Sequence, residues 1–223
     1  APPSSVYIYG RDISTMTLFE TTKIIGYVFQ NPDHQFVADT VYDEVAYSLR
    51  VRNIDEDTVR VKVMEVLTRF GLEKFVEMSP FSLSMGYRRL LSVTTMLVVD
   101  QDVIILDEPT IGQDQVSCDL LMGYLKQLND EGKTIILITH DMRLISEWVG
   151  RVIIMSDSKL LFDGPIYETF KSEDLLDKAA IIEPPIVDLV KQLRKEYTVI
   201  PESIMTVEHF CQMFESNNDT NKL

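Results

Sequence analysis

Five apolar residues between Val59 and Phe70 recur at helical spacing. Val59, Val63, Val66, Leu67 and Phe70 fall at i, i+4, i+7, i+8 and i+11. Residues so spaced share one face of a 3.6-residue helix, and Gly71 stands where a helix cap belongs. Upstream, Thr40 and Asp43 have the spacing of a capping box and open a helix that runs to about Val51. Further helices are predicted over the largely apolar stretch Leu90 to Val99 and over Asp114 to Asn129. Other apolar runs differ in kind. Ile24 to Phe29, Val103 to Leu106 and Thr134 to Thr139 are too short and too β-branched for helices, and read as buried strands. Val6 to Tyr9 reads as a short strand ending at Gly10. Arg151 to Met155 and Lys159 to Phe162 flank Asp157-Ser158 as a hairpin.

Strands alternating with helices predict an α/β fold with a parallel sheet. The pattern changes after Gly164. Beyond Glu183, residues Ile186, Leu189, Val190 and Leu193 form a second apolar stripe at i, i+3, i+4 and i+7. Either its own domain or a partner chain must cover that stripe. A short helix is expected over Val207 to Phe214, and Ser216 to Leu223 reads as frayed.

Composition narrows the function. The chain has 223 residues, enough for one full-sized domain or one domain with an appendix. Apolar residues make up 45% and charged residues 25%, which excludes disorder as the default. With 21 basic and 35 acidic residues the formal charge is −14, which argues against nucleic acid held by phosphate neutralisation. ATP stays open, because backbone N–H groups and Mg²⁺ can hold phosphates without net positive charge. Cys118 and Cys211 lie far apart, which excludes a disulfide framework and a four-cysteine zinc site.

The strand Val103 to Leu106 ends in Asp107-Glu108-Pro109-Thr110. Two adjacent carboxylates at the end of a buried strand have the form of a Walker B motif. Asp107 would hold a Mg²⁺ shell through a water, and Glu108 would orient or deprotonate an attacking water. The plainer reading is a strand that stops at a solvated acidic turn. Upstream, Ser84 and Gly86 open a helix, where hydroxyl and N–H donors can meet an anion; an ordinary serine cap is the plainer reading. Gln30 and His140 each end a strand, and alone neither would be remarkable.

The order of these signals changes their weight. Gln30, Leu83-Ser84-x-Gly86, Asp107-Glu108, Gly112-x-Asp114 and His140 follow one another at fixed separations. This series resembles the ATPase domain of ABC transporters, with its Q-loop, signature, Walker B, D-loop and H-loop. The stretches Val28 to Phe36, Thr40 to Ala46 and Ser79 to Ser84 look like the ATPases of energy-coupling-factor transporters, importers of cobalt, nickel and vitamins. Only about 50 residues separate Gln30 from Leu83, too few for the long coiled coil of the related chromosome-maintenance ATPases.

The resemblance implies a P-loop NTPase-like sheet with an ABC helical subdomain over about residues 40–100, a domain spanning 1–171, and a C-terminal helical extension over 172–223. It implies a head-to-tail pair with a second ABC ATPase subunit, homo- or heterodimeric, binding ATP and Mg²⁺. Ser84 and Gly86 would touch the partner's ATP. Asp107 and Gln30 would serve Mg²⁺, Glu108 would polarise water, His140 would contact the γ-phosphate, and Asp114 would lie across the interface. It further implies a transmembrane coupling subunit, a substrate-binding membrane subunit, no nucleic acid, and a place on the cytoplasmic face of the membrane.

The sequence also departs from the family. No stretch reads G-x-x-x-x-G-K-[ST], so the Walker A strand, loop and helix are expected to be missing, roughly 30 residues on the scale of a βαβ unit. The joint presence of Gln30, Asp107, Glu108 and His140 favours a sequence cut short. The alternative is a non-catalytic partner that donates the signature or regulates a second ATPase. In the signature, Met85 stands for a glycine and Tyr87 for a glutamine. Without the Walker A strand, the strand Thr134 to Thr139 is expected to have an open apolar edge.

Overall fold

The structure is a computed structural model. It describes residues 5–197 and 200–220, the side chains of 214–220 excepted. The chain divides into two compact units, residues 1–139 and 140–223.

The first unit begins with a hairpin where a single strand was expected. Strand β1 (Tyr7–Ile8) pairs antiparallel with β2 (Arg11–Asp12). Tyr9 and Gly10 make the turn, both at positive φ (+48° and +76°). A two-residue loop with both φ values positive matches the twist of paired strands. Helix α1 (Leu18–Thr22) follows, opened by a full capping box between Thr17 and Glu20.

Three strands form a parallel sheet in the order β3 (Ile25–Val28), β4 (Val103–Asp107) and β5 (Thr134–Ile138). Long helical excursions separate them in sequence, as parallel strands require. Val28 pairs with Leu106, which pairs with Leu137, so the three C-terminal ends lie on one edge. Ile104 and Leu106 on β4 are fully buried, whereas Val103 and Ile105 are only half-buried. β5 departs further from expectation. Ile136 and Ile138 are 43% and 49% exposed, because β5 pairs only with β4 among the described strands. The apolar composition of this strand matches an inner position, but here it stands at the edge.

Between β3 and β4 lie α2 (Val41–Val51), α3 (Glu56–Arg69) and α4 (Met85–Leu97). Thr40 caps α2, its hydroxyl accepting from the Asp43 N–H at 3.0 Å. Asp55 caps α3 through the Thr58 N–H at 2.9 Å. The whole stripe Val59, Val63, Val66, Leu67 and Phe70 is buried, and Gly71 turns at φ +66°. A fully buried aliphatic or aromatic side chain contributes about 1.5–3 kcal/mol, so this stripe anchors α3. Helix α5 (Gln115–Asp130) joins β4 to β5 and buries Leu121, Met122, Leu125 and Leu128.

The second unit contains α6 (Met142–Trp148) and the antiparallel hairpin of β6 (Arg151–Ser156) and β7 (Lys159–Pro165). Asp157 and Ser158 form its turn at φ +49° and +59°. There follow α7 (Ile166–Thr169), α8 (Glu173–Ala179), α9 (Pro185–Arg194) and α10 (Val207–Thr220). One core joins Ile145, Ile166, Phe170, Leu176, Val187 and Met205; a second joins Val190, Ile200 and Ile204 with Leu193, Phe210 and Met213 around them. The stripe of α9 is therefore covered largely by its own unit. Its register differs from expectation, since Val187 is buried and Leu189 is 42% exposed. Helix α10 continues to Thr220, through the start of the stretch read as frayed; residues 221–223 of that stretch lie outside the described residues. Among the described residues, no helix is long and apolar enough to cross a membrane.

Candidate nucleotide site

The sheet edge at the C-terminal ends of β3, β4 and β5 collects the candidate chemistry of the first unit. Open α/β sheets bind ligands in the crevice outside such ends. Phe29 and Gln30 leave β3, Asp107 closes β4 with Glu108 after it, and Thr139 follows β5. Asp107 accepts a hydrogen bond at its Oδ2 from the Tyr27 hydroxyl on β3, 2.9 Å away. That bond stabilises the protonated phenol and pushes the Tyr27 pKa up.

Glu108 is held more tightly than an acidic turn requires. Its φ is +44°, a region in which a long side chain is strained. Its N–H donates to the Ile138 carbonyl at 2.8 Å, and its Oε2 accepts from the Thr139 hydroxyl at 3.0 Å. Both tethers come from the β5 end, so the carboxylate is fixed across two strands. Gln30 has an exposed side chain, while its backbone carbonyl accepts from the Arg89 guanidinium.

A second cluster forms at the N-termini of α4 and α5. Ser84 is the N-cap of α4 and makes no side-chain capping bond. Asp114 caps α5, taking the Ser117 N–H at 2.9 Å and the Ser117 hydroxyl at 3.1 Å. Those bonds hold the Asp114 carboxyl below its usual range. Gly86 adjoins the same serine, since a Cβ at residue 86 would stand 2.6 Å from Ser117 Oγ. The turns that open α4 and α5 thus adjoin within one unit. Tyr87 stands edge-on to Phe75 with ring centroids 4.8 Å apart, and Lys74 lies over its ring. That packing accounts for an aromatic residue at position 87. His140 is exposed and opens the second unit, with Asp141 next to it capping α6 through the Arg143 and Leu144 N–H groups.

Sequence reading missed three side chains here: Tyr27, Arg89 and Thr139. A signal existed for Arg89, which with Arg88 is one of two charges in a helix otherwise without charged residues. For Tyr27 and Thr139 the roles depend on strand register. Among the described residues no group of three His, Cys, Asp or Glu could hold a metal alone. Mg²⁺ sites in nucleotide enzymes use one or two carboxylates, with phosphates and waters completing the shell. Asp107, a single hard-oxygen donor at a strand end, fits that pattern.

A family model described as ABC transporter matches residues 2–111, from before Gln30 to beyond Glu108. Residues 2–111 belong with the ABC transporter family. An ABC transporter ATP-binding protein of Caldanaerobacter subterraneus is 40% identical over 200 residues, 90% of this chain and 35% of that protein. A Bacillus subtilis protein named as an HMP/thiamine import ATP-binding protein, YkoD, is 37% identical over 198 residues, 87% of this chain and 36% of its own length. The solved structure of cbiO1 from Clostridium perfringens, described as part of the ABC transporter complex cbiONQ, superposes with a TM-score of 0.71 at 25% identity. The match covers 89% of this chain and 75% of that one. The chain spans about a third of the length of the curated relatives it matches.

Proposed function

We propose that this chain is the ATP-binding and ATP-hydrolysing part of a protein that energises an energy-coupling-factor type importer of a metal ion or a vitamin. The observation that carries the reading is Glu108, strained at positive φ, its N–H tethered to the Ile138 carbonyl and its carboxylate to the Thr139 hydroxyl, beside Asp107 on the same sheet edge. A carboxylate fixed there can orient a water and take its proton during phosphoryl transfer, where positioning and charge stabilisation are nearly all of catalysis. Asp107, oriented by Tyr27, and Gln30 hold the Mg²⁺ shell. When bound, Mg²⁺ supplies neutralisation of phosphate charge. His140 contacts the γ-phosphate. Ser84 and Gly86 present donors to the ATP of a second ABC subunit, and Asp114 fixes the neighbouring turn at the interface. The domain reads as 1–171, with 172–223 as its extension.

The names of two similar proteins support the transport reading, one for HMP/thiamine import and one within cbiONQ. The partners proposed are a second ATPase, a transmembrane coupling subunit and a substrate-binding membrane subunit, placing the chain on the cytoplasmic membrane face. As a 223-residue polypeptide it is proposed to be inactive, because none of its stretches reads G-x-x-x-x-G-K-[ST]. The test is uptake into vesicles bearing the full-length protein and its membrane partners, with labelled Co²⁺, Ni²⁺ and thiamine precursors. ATP-dependent accumulation of one of them is expected. Accumulation of none, with the complex intact, would overturn the transport reading.

A further inference from the structure

Outside the sheet edge, the least ordinary group in the first unit is Arg89. It is 1% exposed, and it sits on α4 among Leu90, Leu91 and Val93. A buried guanidinium is costly unless its donors are satisfied. Its two terminal nitrogens donate to consecutive carbonyls, those of Phe29 and Gln30. Burial pushes its pKa down, and the Asp107 carboxylate opposes that shift. Neighbouring residues repeat the connection. Arg88 Nη1 reaches both oxygens of Asp33, at 2.7 and 2.8 Å. Gln35 Nε2 donates to the Ser92 carbonyl at 2.9 Å and the Thr95 hydroxyl at 2.7 Å. Residues 29–35 are therefore stapled to α4 at three levels, by Arg89, Arg88 and Gln35.

We infer that Arg88 and Arg89 form a clamp that makes the Gln30 segment and the signature helix one mechanical body, with Arg89 as a positioning residue for the ATPase reaction. The inference rests on the function proposed above, in which Gln30 serves one ATP of a pair and Ser84 and Gly86 serve the other. A displacement of Gln30 on binding the first nucleotide is then delivered to the donors of the second site. The clamp supplies coupling between the two sites, and coupling of this kind typically changes affinity about 5–150-fold. Backbone carbonyls as the anchor points suit this task, because the hold on Gln30 leaves its side-chain amide unoccupied by the clamp.

The test uses the full-length protein and a charge exchange at the outer staple, whose side chains are 21% and 34% exposed and can be changed without emptying the core. Asp33→Arg and Arg88→Asp are made singly and together, with Arg89→Lys as the conservative inner change. ATP hydrolysis is measured against ATP concentration, and amide exchange is followed over residues 29–35 and 84–90. Each single exchange is expected to lower kcat about tenfold and to bring the Hill coefficient towards 1, with KM changed less than about threefold, and the double exchange to restore both. Amide exchange over 29–35 is expected to accelerate at least about tenfold in the singles and in Arg89→Lys, and to recover in the double. A merely structural role would lower thermal stability without moving the Hill coefficient. Unchanged amide exchange in the singles and in Arg89→Lys overturns the clamp. So does a double exchange no better than the worse single. If the wild type shows no hydrolysis dependent on Glu108, the functional reading fails, and the exchange data still decide whether the clamp exists.

Discussion

A methyl group added at residue 86 would meet Ser117 on two atoms, at 2.6 Å from Oγ and 2.9 Å from Cβ. Non-bonded carbon atoms settle about 3.5–4.0 Å apart, so Gly86→Ala forces a movement. Rotating the serine frees only Oγ and breaks its 3.1 Å bond to Asp114, a loss of about 0.5–1.5 kcal/mol. The Cβ cannot rotate away, so α4 and α5 must separate, an overpacking cost of about 1–3 kcal/mol. Alanine recovers up to about 1 kcal/mol over glycine through helix propensity. The net destabilisation expected is about 2 kcal/mol, read as a lower urea midpoint at unchanged slope by far-ultraviolet circular dichroism. Ser117→Gly removes both clashing atoms. On that background only the helix-propensity gain remains, so Gly86→Ala should stabilise by up to about 1 kcal/mol, giving a coupling of about 2–3 kcal/mol in the double-mutant cycle. If Gly86→Ala is as stable as wild type, or loses as much on the Ser117→Gly background, the proposed contact of signature and D-loop is wrong.

Three further outcomes follow from the same structure. In the 223-residue polypeptide, Ile136→Lys should slow aggregation with a stability change within about 0.5 kcal/mol, because the residue is 43% exposed on an edge strand; an unchanged aggregation rate would contradict the open edge. The Glu20 carboxyl, bonded to the Thr17 N–H and hydroxyl and to Arg11, has its pKa lowered to about 2. Its contribution to stability is thus present above about 4.5 and is lost as pH falls through about 2; a carboxyl titration by NMR with a midpoint at or above 4.5 would remove the capping box. Tyr27→Phe should lower kcat about tenfold, ~1.4 kcal/mol, by freeing Asp107, with the fold intact; a rate within twofold of wild type would make the phenol dispensable.

Much of the fold was legible because local signals and packing agree. Thr40 accepts the Asp43 N–H as their spacing predicts, and the α3 stripe is buried as its spacing requires. The parallel sheet followed from alternation of strand and helix. The departures have a common cause, in that burial depends on neighbours that periodicity does not name. The sequence of β5 is that of an inner strand, yet its outer edge has no described partner. In α9 the apolar residues Ile186, Val187, Leu189, Val190 and Leu193 are dense enough to support two registers, and packing chose the one that buries Val187. The hairpin at Tyr9-Gly10 was hidden because Tyr9 is an unusual residue for positive φ. Of the proposed site, the candidate carboxylates Asp107 and Glu108 were legible from their order along the chain. Their supports were not: Tyr27 and Thr139 act across strands, and Arg89 acts on backbone carbonyls 59 and 60 positions away.

The central claim is that Glu108 handles the attacking water. Single-turnover hydrolysis by the full-length protein carrying Glu108→Gln tests it most directly, with ATP affinity measured on the same sample. The amide keeps the shape, the backbone tether to Ile138 and an acceptor for Thr139, but loses the base. Affinity within about threefold of wild type and a rate reduced at least tenfold, ~1.4 kcal/mol in barrier, are predicted. A rate reduced by less than tenfold with unchanged affinity would show that the tethered carboxylate is not the group that acts on water.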